Sequence, residues 1–501
     1  PIRAVAVFTA LMFLALSVNV TYAALFRQSD LNNDSRNTRV RDAEFSQNRG
    51  DILVGSTAVA RTVASDGKFH YQRTYAHGRK YAPITGYYSY YYGRTMLEQT
   101  QNPQLTGTSD AQWLSRLTGT LGGHKPQGGS LLTTVNASAQ DAAWEGLRGK
   151  KGAVVALDYS TGAVLAMASN PSFDPNLLAT HDLKASQQSW KRLLDDPDNP
   201  MANRASREIY PPGSTFKLVT AAAALQHGYT PDSQVSSPKA YTLPNTTNSL
   251  TNEINCGGDN VTLTHALEIS CNTAFAKLGV GLSERTLADQ ASKFGFGSEP
   301  DSDISMATSK FPTQLNDAQL ALSSIGQYDV AASPLQMAMV AAGIANDGVL
   351  MEPYLTRSVR AANLQTVWSH KDTPMSTPMT RKSAKQLQEM MVSVVNNGTG
   401  RNARISGVTV GGKTGTAQKV DPNTGAYSNS AYWITFAGIA PADDPRFVVA
   451  VMLDEPKSGV EDNGGGGQSA APIFRDIASW LLNRDNIPTS KPAPRLTLRA
   501  Q

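Results

Sequence analysis

Ser214 and Lys217 stand three residues apart in Tyr210-Pro211-Pro212-Gly213-Ser214-Thr215-Phe216-Lys217, ahead of the apolar run 218–225. Two prolines and a glycine end any preceding element and let a helix begin near Ser214. Residues i and i+3 share one helix face, so hydroxyl and amine meet at its first turn. A serine there has free backbone N–H groups and the positive end of the helix dipole beside it, a setting that stabilises an oxyanion. A lysine in apolar surroundings loses solvation of its charged form, which favours the neutral amine that a general base requires. The pair points to a serine nucleophile activated by lysine. The spacing alone is weak, because Ser65-Asp66-Gly67-Lys68 and Ser236-Ser237-Pro238-Lys239 repeat it in turn-like sequence. The competing reading is an ordinary buried helix whose lysine snorkels outward.

Two more polar stretches suit the same chemistry. In Ser270-Cys271-Asn272 a hydroxyl and a carboxamide two residues apart can relay a proton and orient a substrate amide. The plain alternative is a polar break between helices, and the same tripeptide type recurs at Ser35-Arg36-Asn37 and Ser46-Gln47-Asn48. In Lys413-Thr414-Gly415-Thr416 a strand would point Lys413 and Gly415 one way and both threonines the other. Lysine and threonine are natural partners for a carboxylate, and glycine lets backbone approach it closely. Read from Gly407, this stretch also satisfies the phosphate-binding pattern G-x-x-x-x-G-K-[ST]. That motif needs a helix directly after its Lys-Thr pair. Gly415 and the turn-like Asp421-Pro422-Asn423-Thr424-Gly425 follow instead, so the nucleotide reading is rejected.

The hydrophobic pattern sets the elements that must hold these groups. Runs 152–157 and 163–168 read as a hairpin, and 432–439 with 447–453 as a second apolar pair. Helix-like stretches cover 215–226, 263–278, 334–345, 385–395 and 470–482. Strands at both ends of a helical insertion predict an antiparallel sheet with helices packed around it, an α/β (α+β) class. Upstream, 51–54, 69–75 and 131–135 are strand-like, 139–147 is helical, and Gly-rich 119–129 suggests a boundary. Tyr87, Tyr88, Tyr90, Tyr91 and Tyr92 read as an aromatic strand packed on its own module.

The 501 residues are 40% apolar and 17% charged, which excludes collagen-like, polar disordered and multi-span membrane chains. A net charge of +4 without a basic stripe argues against nucleic acid. Two cysteines supply neither a disulfide scaffold nor an all-cysteine zinc site. From Ala4 to Phe26 no residue is charged; at ~1.5 Å per residue this spans about 34 Å, enough for a bilayer core. It is longer than a secretory signal's apolar region, and Thr21-Tyr22-Ala23 is a poor cleavage site, so an uncleaved anchor is expected. Arg36, Arg39, Arg41 and Arg49 follow it, and a literal positive-charge count would put the body in the cytoplasm. Charge alone leaves the orientation open.

In chain order, Ser-x-x-Lys at a buried helix start, Ser-x-Asn and Lys-Thr-Gly resemble the three-motif set of penicillin-binding proteins and serine β-lactamases. Arg49-Gly50-Asp51-Ile52, shortly after a single anchor, is similar to the pedestal start of class B penicillin-binding proteins. Residues 152–171, 210–217, 324–353 and 432–441 are similar to class B transpeptidase sequence, nearest the actinobacterial branch. The resemblance implies an anchor (1–27), a non-catalytic pedestal (28–150), a transpeptidase domain with an antiparallel sheet flanked by helices (151–484) and a disordered tail (485–501).

The activity it implies is that of a peptidoglycan D,D-transpeptidase inhibited covalently by β-lactams. Ser214 would attack the carbonyl between the terminal D-alanines of a stem peptide, Lys217 would take its proton, and Ser270 would relay it to the leaving D-alanine. Asn272 would hold the donor amide. Lys413, Thr414, Gly415 and Thr416 would meet the carboxylate of substrate or β-lactam, and the backbone N–H groups of Ser214 and Thr416 would form the oxyanion hole. Implied partners are peptidoglycan stem peptides, β-lactams and a membrane glycosyltransferase of the elongation or division machinery. No cofactor or metal is implied, HExxH and CxxC being absent. The site would face the wall, on a single-pass membrane protein. In that extracytoplasmic setting Cys256 and Cys271 are expected to form a disulfide bracing the Ser270 loop, against the alternative of two buried thiols. Rival readings are a β-lactamase or D,D-carboxypeptidase, and a β-lactam sensor or scaffold that never cross-links.

Overall fold

The computed structural model of the chain describes residues 2–26, 38–112, 127–420, 427–456 and 465–484. The expected turn at 421–425, most of the 119–129 boundary, part of the linker and the tail lie outside the described residues. A five-stranded antiparallel sheet forms the centre, in the order Gly411–Val420, Tyr427–Ala440, Phe447–Pro456, Lys151–Asp158, Val164–Asn170. Its middle strands are apolar on both sides because both faces are covered. Val154, Ala156, Val449 and Val451 meet the helices Ala137–Gly146 and Ala470–Arg484. Val155, Leu157, Val448 and Ala450 face the helical insertion. Period-two alternation therefore sorts one strand into two cores. Pro334–Ala345 lies inside the second core, entirely buried, with Ser333 capping Gln336 N and Pro334 opening its first turn.

The expected helix 263–278 is two helices, Leu263–Glu268 and Asn272–Leu282. Ser270 N donates to Leu267 O at 3.2 Å and Cys271 N to Ala266 O at 2.8 Å, closing the first helix in a Schellman motif. The left-handed position (φ 62°) is Ser270 itself rather than a glycine. That conformation costs about 1–2 kcal/mol for an L-residue. Apolar residues continue on both sides of this break, so the stretch 263–278 reads as helix-like throughout, although Ser270-Cys271-Asn272 also allows a polar break between helices.

The N-terminal part does not complete its own sheet. A six-stranded sheet has the order Thr366–Ser369, Thr356–Arg360, Ser130–Thr133, Ile52–Val54, Thr57–Ala64, Tyr71–Tyr75, so two strands come from far downstream. Asp303 fastens this return, accepting from Leu355 N at 2.8 Å and Thr356 N at 2.7 Å. Packing therefore crosses any cut placed at residue 150. The tyrosine cluster also differs from expectation. Strand pairing there is limited to Tyr88–Ser89 with Gly93–Arg94, and Tyr92 stacks on Trp190 at 4.0 Å, across on the downstream helix Leu183–Asp195. Aromatic content signalled burial but not the partner surface.

Beneath the tyrosines lies a buried ionic cluster. Arg49 reaches Glu98 Oε2 at 2.7 Å, Arg73 reaches Glu98 Oε1 at 2.6 Å, and Tyr75 OH donates to Glu98 Oε1 at 3.0 Å. The helix Ile2–Phe26 contains a 21-residue exposed stretch, Ile2–Tyr22, with mean hydropathy 2.1, long and apolar enough to cross a membrane.

Candidate active site

Three elements converge on one cluster: the start of the Lys217–Gln226 helix, the left-handed turn at Ser270, and the edge strand Gly411–Val420. The turn Gly213–Phe216 leads into the helix and is tied on both sides. Gly213 N donates to Gly326 O at 3.0 Å, and the Thr215 and Thr435 hydroxyls donate to Pro212 O at 2.7 and 3.1 Å. A Cβ on Gly415 would lie 2.2 Å from Thr435 Oγ1, so only glycine lets the edge strand come this close. Thr215, Phe216 and Lys217 are buried, while Ser214 stays partly open to solvent.

Lys217 Nζ donates to Ser270 O at 2.7 Å and Asn272 Oδ1 at 2.7 Å and shares a 3.1 Å hydrogen bond with Ser270 Oγ. From the opposite side Lys413 Nζ donates to Ser270 Oγ at 2.9 Å and to Thr414 O at 2.9 Å. One hydroxyl thus bridges two fully buried amines. Burial pulls Lys413 down to about 7, with the Glu253 carboxylate opposing. Lys217 is held well below the ordinary lysine range, first by burial and then by the Lys413 charge, Glu253 again opposing. Like charges sharing one site separate their titrations. The arrangement thereby favours a neutral Lys217 beside a cationic Lys413, one amine able to accept a proton and one able to hold an anion.

Asn272 is fixed at both ends, its Nδ2 donating to Thr251 O at 3.3 Å. Cys256 and Cys271 are joined by a disulfide that ties the 256 loop to this turn. Thr416 lines a cleft of about 730 Å³ together with Asn272, Glu253, Leu322 and Tyr432. Thr414 is not among the cleft residues; its buried hydroxyl pairs with Thr399 Oγ1 at 2.7 Å. Gly411–Val420 is a strand from end to end, with no helix after the Lys-Thr pair.

Sequence reasoning passed over three contributors. Thr399 orients Thr414. The turn Gly465–Gly467 lies flat on the Lys-Thr-Gly strand, with Gly466 N 3.4 Å from Thr416 Oγ1. A Cβ on Gly466 would fall 2.7 Å from Gly415 O, and the run of four glycines from Gly464 was the available signal. Glu253, in the cleft wall, has no local pattern to mark it.

Residues 152–479 match the penicillin binding protein transpeptidase domain, and 49–131 the penicillin binding protein A dimerisation domain. Across 96% of the chain it is 41% identical to peptidoglycan D,D-transpeptidase PbpA of Mycolicibacterium smegmatis, covering 98% of that protein. The PbpA of Mycobacterium tuberculosis is 38% identical, again over 96% of this chain and 98% of its own. Solved structures of M. tuberculosis penicillin-binding protein A as ceftriaxone and penicillin G acyl-enzymes superpose with TM-scores of 0.82 and 0.81 at 38% and 37% identity. Each alignment covers 87% of this chain, and 99% and 100% respectively of the solved ones. With its lysine-flanked Ser270, its glycine-lined edge strand and these likenesses along nearly its whole length, the chain belongs to the penicillin-binding protein transpeptidase family.

Proposed function

We propose that the chain is a peptidoglycan D,D-transpeptidase acting through an acyl-enzyme on Ser214. The observation that carries this reading is the Ser270 hydroxyl held between Lys217 and Lys413. Ser214 Oγ attacks the carbonyl between the terminal D-alanines, and the neutral Lys217 takes its proton. Backbone N–H groups of Ser214 and Thr416 receive the oxyanion. Ser270 relays the proton to the departing D-alanine nitrogen, Asn272 orients the donor amide, and Lys413, Thr414 and Thr416 on the Gly415-bearing strand hold the terminal carboxylate. Thr399 orients the Thr414 hydroxyl for this contact. A stem-peptide amine then resolves the ester. In this reading residues 28–150 act as a pedestal for the 151–484 domain. The apolar helix tethers the protein at the cell membrane with the site outside, beside a glycosyltransferase that supplies the strands.

The test is incubation with a stem-peptide donor and an amine acceptor. The expected product is the new amide, with penicillin retained as a long-lived adduct. Hydrolysis without amide would indicate a carboxypeptidase, rapid penicillin turnover a β-lactamase, and adduct without either reaction a sensor. The pH dependence of acylation follows from the two amines. A group depressed well below 10.5 is already neutral at pH values where ordinary lysines are charged, so acylation rises with pH and levels off far below 10.5. Loss of the Lys413 charge, from about 7 upward in the free protein, weakens hold on the carboxylate and makes a descending limb. A rate still climbing through about pH 10 would contradict the assignment of Lys217 as base.

A further inference from the structure

The cleft beside Ser270 is lined by amides, hydroxyls, aromatic rings and aliphatic chains, and among its described residues Glu253 is the one with a charge. Its side chain is exposed and makes no ion pair or hydrogen bond with another described residue. Its neighbours in the chain, by contrast, are tied to the Ser270 turn. Immediately before it, Asn252 Oδ1 accepts from Thr273 N at 3.0 Å and Asn252 Nδ2 donates to Thr273 Oγ1 at 3.0 Å. Thr251 O accepts from Asn272 Nδ2, and just after Glu253 the Cys256–Cys271 disulfide closes the strap. The strap is therefore bonded to all three of Cys271, Asn272 and Thr273. A carboxylate is thus carried on a strap anchored on both sides of it, in the wall of the cleft that Asn272 and Thr416 share, with no partner among the described residues.

Resting on the transpeptidase reading, we propose that Glu253 docks the ammonium group of the acceptor and so selects an amine over water at the acyl-enzyme. The site then has two anchors of opposite sign: Lys413, buried on the edge strand, for the donor carboxylate and Glu253, in the cleft wall, for the incoming cation. An acceptor amine is charged in solution and is drawn to the fixed anion in the cleft wall. Glu253 repels the donor's carboxylate, which keeps donor and acceptor ends apart. In the resolving step the docked ammonium sheds one proton to solvent. Its nitrogen forms a bond to the acyl carbon as the bond from that carbon to Ser214 Oγ breaks, and the second proton passes to that oxygen. Glu253 binds the acceptor and reaches acylation only through its charge on the two lysines, so its distinguishing signature lies in how the acyl-enzyme divides among acceptors.

The experiment uses the full chain with a thioester donor, an aliphatic primary amine acceptor, and methanol as an uncharged acceptor. With Glu253→Gln the aminolysis-to-hydrolysis ratio is expected to fall about three- to tenfold, the methanolysis-to-hydrolysis ratio keeping its wild-type value. Glu253→Asp should recover part of the loss, and raising salt from about 0.05 to 0.5 M should bring wild type toward the Gln variant. Because the Glu253 carboxylate raises both buried lysines, Glu253→Gln should also move the ascending limb of the acylation pH profile to lower pH. Equal loss of aminolysis and methanolysis would mean a distorted site and would overturn the proposal, as would an unchanged aminolysis ratio. If wild type yields only hydrolysis with both acceptors, the transpeptidase reading itself fails, and acceptor docking with it.

Discussion

Treated with fluorescent penicillin, the Ser214→Ala chain is expected to carry no covalent label, and Lys217→Met to label about 10²- to 10⁴-fold more slowly than wild type. The two variants separate nucleophile from base. Removing the Ser214 hydroxyl leaves no atom to hold the acyl group. Removing the Lys217 amine leaves the hydroxyl in place but with no neighbour ready to take its proton. Lys217 is also hydrogen-bonded to Ser270 O, Ser270 Oγ and Asn272 Oδ1. Their loss weakens the fold by about 0.5–1.5 kcal/mol each, partly offset because a fully desolvated amine is gone. Unfolding midpoints of the variant must therefore accompany its labelling rate. Lys217→Arg is expected to be as slow as Lys217→Met, since a guanidinium never becomes neutral in this range. Equal labelling of Ser214→Ala and wild type would remove Ser214 from the reaction, and a fast Lys217→Met would shift the base to another group.

Glu98→Ala is expected to destabilise the N-terminal sheet by about 3–5 kcal/mol. Arg49 and Arg73 are 2% and 3% exposed and share this one carboxylate. Arg49 keeps Asn102 Oδ1 and Arg73 keeps Gly50 O, but neither neutral acceptor offsets a buried positive charge. The outcome depends on the orphaned charges, not on the lost attraction. Replacing Arg49, Glu98 and Arg73 together by Met, Leu and Met should therefore cost far less than Glu98→Ala. Hydrogen exchange over residues 52–75 reads the effect locally, which matters because a chain with several packed units need not unfold in one step. Burial by itself would raise the Glu98 carboxyl, yet Arg73 and Arg49 outweigh it and hold the group below the usual range. Its contribution to stability is thus full above the unfolded-state value near 4.5 and is lost as pH falls through the lower folded value. A Glu98→Ala chain exchanging like wild type, or more slowly than the triple variant, would contradict this account.

Several features of the site were legible in the chain because they are local. Pro211, Pro212 and Gly213 announce a helix start, and the unbroken apolar run after Lys217 announces its burial, which already implies a depressed amine. Gly415 and the turn residues after it disqualify a phosphate loop without any structure. Other features were not legible because they depend on contacts between distant segments. A polar break at Ser270-Cys271-Asn272 is open from sequence, but not the left-handed turn that puts Ser270 itself between two lysines. Thr399 and the Gly465–Gly467 turn reach the Lys-Thr-Gly strand only through the fold. Tyr92 finds Trp190, and strand Thr356–Arg360 finds Ser130–Thr133, across long stretches of chain that no local pattern encodes.

Residue types and short spacings by themselves determined the chemistry on offer: a hydroxyl and an amine at one helix start, a second hydroxyl beside a carboxamide, a lysine on a glycine-bearing strand, and an apolar end long enough for a bilayer. Propensity and periodicity act within about a helical turn or a strand pair, so they reach that far and no further. Tertiary structure alone decided that the Ser270 hydroxyl sits between both lysines, 3.1 Å from one and 2.9 Å from the other. It also decided that the Lys217 amine is held well below the ordinary lysine range, by burial and by the Lys413 charge. Desolvation and the mutual repulsion of two charges depend on distance through space, and Lys217 and Lys413 become neighbours only when the edge strand closes against the buried helix.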